Sequence, residues 1–155
     1  MTPSINVAKH NNISYTVHEY AQSESCEAYG LEAAIKMAVP EEQVFKTLVV
    51  CLDSKELVVG VIPISSMLSM KLIAKACQVK KASMANKADV ERSTGYILGG
   101  VSPLGQKKAL RTFIDPSAKN YGSIYVSAGR RGLEIELSPD DLQTLTQAKF
   151  VKLCQ

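Results

Sequence analysis

The apolar positions of this chain change period several times, and each change predicts an element. Thr2-Pro3 reads as an N-cap followed by a first-turn proline. It opens a short helix through Ile5, Val7 and Ala8 that stops at Asn11-Asn12. From Ser14 to Tyr20, Tyr15 and Val17 alternate with Thr16 and His18, the period-two pattern of a half-buried strand with Tyr20 at its end. Residues 26 to 38 place Leu31, Ala34 and Met37 or Ala38 at helical spacing ahead of Pro40. Two β-branched-rich runs, Phe45 to Leu52 and Leu57 to Ile62, flank Asp53-Ser54-Lys55-Glu56 and predict a hairpin. Ser66 is expected to cap a helix with Leu68, Leu72, Ile73 and Ala76 inward and Lys71 and Lys75 on its outer face. A short helix near 87 to 94 ends at Gly95. A glycine- and proline-rich loop runs from Tyr96 to Gly105, and strands are expected at about 109 to 114, 123 to 128 and 133 to 137. Ser138-Pro139-Asp140-Asp141 caps a last helix. Helices and strands mix without strict alternation, which predicts an α+β class with a largely antiparallel or mixed sheet.

Composition narrows the class. A length of 155 residues with 46% hydrophobic and 21% charged residues fits one globular domain spanning 1–155 and argues against a disordered or fibrous chain. No apolar run approaches the roughly 18 to 20 residues needed to cross a bilayer, and Met1-Thr2-Pro3 lacks the basic-then-apolar order of a secretory signal. A cytoplasmic location and no membrane role are expected. Cys26, Cys51, Cys77 and Cys154 form no C-x-x-C and lie near no histidine pair, so neither a zinc site nor disulfides are expected. Cys51, inside Leu48-Val49-Val50-Cys51-Leu52, reads as a small buried hydrophobe. His10 and His18 are the only histidines, so chemistry here should manage without a histidine base.

The net charge of +3 is unevenly laid out. Residues 1 to 66 carry four lysines against eight acids, residues 67 to 111 carry nine Lys or Arg against Asp89 and Glu91, and the remainder balances. A basic middle third fits one face meeting a polyanion, with Lys71, Lys75, Lys80, Lys81, Lys87, Lys107, Lys108 and Arg111 as its candidates, or a solvated face with spare lysines.

No P-loop, dinucleotide fingerprint or G-x-S-x-G elbow occurs, but three local patterns stand out. In Phe45-Lys46-Thr47-Leu48-Val49-Val50 a lysine starts an apolar strand on the face of Leu48, Val50 and Leu52. It is either a snorkelling edge residue or an ammonium at a pocket mouth. In Ser93-Thr94-Gly95-Tyr96, followed by Gly99-Gly100-Val101-Ser102-Pro103-Leu104-Gly105-Gln106-Lys107-Lys108, paired glycines either let backbone approach a ligand or simply make a tight loop. Tyr125-Val126-Ser127-Ala128-Gly129-Arg130-Arg131-Gly132-Leu133 reads as strand, turn and strand with two arginines at the tip.

Taken together and in this order, with Thr2-Pro3-Ser4-Ile5, His18-Glu19-Tyr20 and Ser138-Pro139, these segments resemble the YbaK-type family of free-standing editing proteins. That family is related to the editing domain inserted in bacterial prolyl-tRNA synthetases. The resemblance implies a mixed sheet closed into a distorted barrel with helices around it. It also implies an aminoacyl-tRNA deacylase that removes a wrong amino acid from tRNA(Pro), in this branch from Cys-tRNA(Pro). Lys46 matches the family's functional lysine and is the implied catalytic residue. Tyr20, Tyr29, Thr47, Gly99 and Ser127 match positions lining its pocket, and Gly100 joins Gly99 in orienting the terminal adenosine and carbonyl. Tyr29 stands where phenylalanine is common, and Ala128 where a second glycine is frequent. The implied tRNA-binding face consists of Lys71, Lys75, Lys80, Lys81, Lys107, Lys108, Arg130 and Arg131. No cofactor or metal is implied, because the substrate cysteine's own thiol would attack its ester carbonyl while the protein supplies positioning and electrostatics. Prolyl-tRNA synthetase is the implied protein partner. The rival expectations are a deacylase for another mischarged tRNA such as Ala-tRNA(Pro), and a tRNA-binding module without turnover.

Overall fold

A computed structural model describes residues 1–22 and 29–155, the side chain of Tyr29 excepted. Helix α1 (Pro3–His10) is capped by Thr2, whose side chain accepts from the Ile5 N–H. The same hydroxyl donates to the Ala128 carbonyl and so ties the helix start to a strand far along the chain. Strand β1 (Tyr15–Glu19) and helix α2 (Tyr29–Met37) follow, then a 3-10 turn (Glu41–Gln43) leading into the hairpin of β2 (Phe45–Leu52) and β3 (Leu57–Pro63). Helix α3 (Met70–Ala76) is capped by Ser69 rather than Ser66. Ser66 is occupied earlier, its N–H donating to the Pro63 carbonyl in the turn that leaves β3. Strand β4 (Ala82–Met84) precedes helix α4 (Lys87–Thr94), which ends on Gly95 in the left-handed conformation at φ +80°. Strand β5 (Arg111–Ile114) leads through a second 3-10 turn (Pro116–Asn120) to β6 (Ile124–Arg130), β7 (Leu133–Leu137), helix α5 (Pro139–Thr146) and the two-residue β8 (Lys149–Phe150).

The strands make two sheets. One is antiparallel with order β1-β7-β6, and the other is mixed with order β4-β2-β3-β5-β8, parallel where β3, β5 and β8 pair. The main core lies between them. Phe45, Val49, Val59, Val61 and Ile114 of the larger sheet meet Ile124, Val126, Ile135 and Leu137 of the smaller one, with Ile5 and Ala8 of α1. The opposite face of the larger sheet, carrying Val50, Leu52, Val58, Ile62 and Phe113, is covered by Ile73 and Cys77. Cover on both faces is why β2 and β3 read as nearly continuous apolar runs.

The α+β class and the mixed sheet hold, but neither sheet closes into a barrel. Closure would need a ladder between β6 and β2, and among the described residues only the single bridge Val44–Tyr125 spans that gap. Val17, expected half-buried, is exposed because β1 is an edge strand. Cys51 is half-buried rather than buried; Cys51, Cys77 and Cys154 are free thiols, and Cys26 lies outside the described residues. Among the described residues no helix is long and apolar enough to cross a membrane.

The loop between α4 and β5 contains no regular element yet is firmly tied. Tyr96 donates its hydroxyl to the Leu104 carbonyl at 2.6 Å, Ser102 Oγ donates to Ser4 Oγ at 2.8 Å, and the N–H groups of Lys107 and Lys108 donate to the carbonyls of Thr94 and Ser93. Gly105, at φ +69°, sits so close to α1 that a Cβ there would lie 2.7 Å from the Pro3 carbonyl.

Candidate functional site

A cavity of about 200 Å³ opens where the start of β2, the outer face of the smaller sheet, the N-terminal part of α2 and the α4–β5 loop come together. Its polar lining is Tyr20, Lys46, Thr47, Ser127 and Glu134, with Gly99 at the rim. Val44, Leu98 and Val101 supply apolar wall.

Strand geometry accounts for this gathering. Ser127 of β6 and Glu134 of β7 are direct cross-strand partners, and His18 of β1 pairs with Glu134 on its other side. These three therefore share the face turned away from the main core. Tyr20, two residues beyond His18, follows the same parity, its backbone N–H donating to the Gly132 carbonyl at 3.0 Å. Lys46 and Thr47 are consecutive in β2 and point to opposite faces, yet both line the cavity, which wraps around the beginning of the strand. Lys46 belongs to the face of Leu48, Val50 and Leu52, as the apolar pattern predicts.

Burial sets the electrostatics. Desolvation pushes the Lys46 ammonium below its ordinary value, with Cys154 opposing that shift. Desolvation holds the Glu134 carboxyl up to about 8, and burial together with the charge of Glu134 raises the Tyr20 phenol to about 12. Among the described residues Lys46 and Glu134 make no ion pair, and Glu134 makes no side-chain hydrogen bond. Thr47 Oγ1 is buried and makes no hydrogen bond among the described residues. An orphaned hydroxyl costs about 1–3 kcal/mol, a penalty that a polar ligand group in the cavity would remove. Ser127 Oγ accepts from the Gly129 N–H at 3.2 Å. The described lining thus offers a cation, hydroxyls and a carboxyl held largely neutral.

The structure thus brings together Lys46, Tyr20, Thr47, Gly99 and Ser127. The side chain of Tyr29 lies outside the described residues. Gly100 is not on this cavity: a Cβ there would lie 2.7 Å from Arg130 Cα, so the residue is glycine because two backbones cross, and it lines a neighbouring groove. Lys71 and Lys75 are exposed on α3, Lys80 and Lys81 are exposed between α3 and β4, and Lys87, Lys107 and Lys108 are exposed as well. Three of the arginines considered are committed to carboxylates: Arg111 to Glu56 through two bonds, Arg130 to Glu19, and Arg131 to Glu32. Glu32 is 2% exposed, so the Arg131 pair is a buried clamp fastening α2 to the β6–β7 turn.

Two buried glutamates, Glu134 on the cavity and Glu32 in the clamp, carry no sequence signal of their burial. Glu134 alternates with Leu133, Ile135 and Leu137 and so reads as a solvent-facing position. Ala34 and Val44 pack on Tyr125 of that face and cover part of it, and periodicity carries no trace of this second layer. Among the described residues no group of three or more His, Cys, Asp or Glu side chains is placed to hold a metal ion.

The sequence profile of the family described as "Aminoacyl-tRNA editing domain" matches residues 23–145. A relative from Enterococcus faecalis (strain ATCC 700802 / V583), named "Putative Cys-tRNA(Pro)/Cys-tRNA(Cys) deacylase EbsC", is 36% identical over 152 residues, covering 98% of this chain and 92% of its own length. A solved structure described as "a putative trans-editing enzyme for prolyl tRNA synthetase" superposes with a TM-score of 0.85 at 20% identity, covering 100% of this chain and 99% of that one, and so shares the fold. By profile and by full-length relative alike, this chain belongs to the aminoacyl-tRNA editing domain family.

Proposed function

We propose that residues 1–155 act as one free-standing editing domain that deacylates mischarged Cys-tRNA(Pro). The observation that carries this reading is the cavity itself. It is small, and it presents Lys46 together with Thr47 Oγ1, which is buried and without a hydrogen-bond partner among the described residues. A site of that kind suits a substrate that brings its own nucleophile. The thiol sulfur of the bound cysteinyl group attacks the ester carbonyl carbon, the S–C bond forms, the ester C–O bond breaks, and the thiol proton passes to the departing 3′ oxygen of the tRNA. Lys46 acts by position and charge, holding the ester or the adjoining 3′ end as negative charge develops on oxygen. Thr47, Tyr20 and Ser127 offer hydroxyl contacts to the aminoacyl group, and Gly99 lets backbone come close to it. Family membership supports the deacylase activity, and the name of the E. faecalis relative supports cysteine as the amino acid removed.

The exposed lysines of α3 and of the α3–β4 connection, with Lys107 and Lys108, supply a face for the tRNA phosphates. Prolyl-tRNA synthetase is the partner proposed to add tRNA selectivity, tested by co-migration of the two proteins with tRNA present.

The deciding experiment follows deacylation of Cys-tRNA(Pro), Ala-tRNA(Pro) and Cys-tRNA(Cys) by the wild type. Preferential loss of the cysteinyl ester supports the proposal. Faster loss of the alanyl ester moves the assignment to alanine editing, and tRNA binding without turnover of any ester moves it to a binding module.

A further inference from the structure

Beside the candidate cavity lies a second one of about 310 Å³, between residues 95–100 and the β6–β7 turn. The two share Leu98 and Gly99, so they adjoin along the α4–β5 loop. This neighbour differs in character. Its loop carries Ile97 at 74% and Leu98 at 48% exposure, two large apolar side chains consecutive in the chain. Its floor includes Tyr96, held in place by the hydroxyl bond to Leu104. Cations stand at its edges. Arg130 lines it, exposed and bound to the equally exposed Glu19. Lys107 is exposed beside the groove's end, its Cβ 3.6 Å from where a Cβ on Gly95 would stand, and makes no ion pair among the described residues.

A base laid flat on two exposed aliphatic side chains buries apolar surface, and cations beside them can meet its phosphate. We infer that this groove binds the nucleotide immediately 5′ of the substrate's terminal adenosine, its base lying on Ile97 and Leu98 and the phosphodiester that joins it to the terminal nucleoside facing Lys107 and Arg130. Arg130 exchanges its single exposed bond to Glu19 for the phosphate, whereas Arg111 is held by Glu56 through two. The inference rests on the deacylase reading, which puts the ester at Lys46. The cations select the preceding nucleotide over the terminal base, because the first phosphodiester met on leaving the ester is the one that links the two nucleosides. The exposed apolar pair then has an occupant, and the tied loop serves as a fixed wall between ester site and strand.

The test uses uncharged RNA hairpins ending in single-stranded CCA, so that it does not depend on turnover. Three versions are compared by fluorescence anisotropy at fixed salt: intact, abasic at the nucleotide before the last, and abasic at the last. Each is titrated with wild-type protein and with Ile97→Ser, an exposed substitution whose unfolding midpoint should match the wild type. Removing the penultimate base should weaken wild-type binding about fivefold, the scale of the apolar area a base buries on two aliphatic side chains, and should cost little in Ile97→Ser. Equal binding of the intact and penultimate-abasic RNAs, or an equal loss in both proteins, overturns the subsite. A penalty confined to the last position also overturns it. Absence of binding to every hairpin would overturn the RNA reading as a whole, a result distinct from loss of the subsite alone.

Discussion

Ser127 and Glu134 face each other across β6 and β7, and the pair places a carboxyl with no hydrogen-bond partner among the described residues directly on the candidate cavity. Cross-strand partners on one face lie only about 4.5–5.5 Å apart at Cβ, so a group bound against Ser127 meets Glu134 as well. The carboxyl is held neutral by burial, which makes it a hydrogen-bond donor near neutral pH and an acceptor above it.

That burial should appear in the pH dependence of stability. Glu134 has a folded-state pKa of about 8 against an ordinary value of 4.5, so between those values the folded protein holds a proton that the unfolded chain releases. The stabilisation associated with the protonated form is fully present below about 4.5 and is lost as pH rises through about 8. Wild-type unfolding free energy should therefore fall relative to Glu134→Gln by up to about 1.4 kcal/mol per pH unit in that window. Urea unfolding at several pH values from 5 to 9 measures it, and parallel profiles for the two proteins would show that Glu134 is not held neutral.

Lys46→Ala should remove deacylation while leaving the fold intact. The side chain is only half-buried and forms no ion pair among the described residues, so its removal strands no buried charge. Deleting one preorganised electrostatic group from an acyl-transfer site lowers the rate by about 10²-fold or more. Single-turnover deacylation of Cys-tRNA(Pro), together with thermal unfolding of the same preparation, tests this, and near-wild-type turnover would remove Lys46 from the mechanism.

Where one physical rule governs a segment, the sequence was a good guide. Gly95 ends α4 because only a residue tolerant of positive φ closes that helix, and Pro139 opens α5 because its missing N–H costs nothing there. Lys46 falls on the predicted face because strand periodicity fixes it. Signals that depend on tertiary cover were silent. Glu134 and Glu32 alternate with, or sit among, apolar residues as solvent-facing acids do, and only the layer above them makes them buried. The two-residue β8 has too little pattern to register, since it exists through its pairing with Phe113 and Ile114. The expected barrel failed for a similar reason, because closure is decided by whether two edges meet.

The Arg131–Glu32 pair should be structural. Its two nitrogen–oxygen contacts of 3.1 Å join the β6–β7 turn to α2, whose Gly30 lines the cavity. Glu32 is buried, and truncating the partner of a buried carboxylate is destabilising by up to about 3–5 kcal/mol. Arg131→Ala should therefore unfold at markedly lower denaturant, and adding Glu32→Gln should recover part of the loss. Strict additivity of the two substitutions in denaturant unfolding would mean that the contact contributes nothing specific.

The basic face predicts a difference between lysines and a paired arginine. Lys71 and Lys75 project from the exposed side of α3 with no ion pair among the described residues, whereas Arg111 is neutralised by Glu56 through bonds of 2.8 and 3.0 Å. A lysine that contacts a phosphate releases a counterion on binding, so losing it weakens affinity and flattens the salt dependence by about one in the logarithmic slope. Lys71→Ala with Lys75→Ala should thus reduce the slope of log K against log salt for tRNA binding by about two, while Arg111→Ala should leave it nearly unchanged. Both variants change exposed side chains, so a common loss of folding is not expected to confuse the comparison. An unaltered slope in the double lysine variant would move the tRNA path away from α3 and toward Lys107 and Lys108.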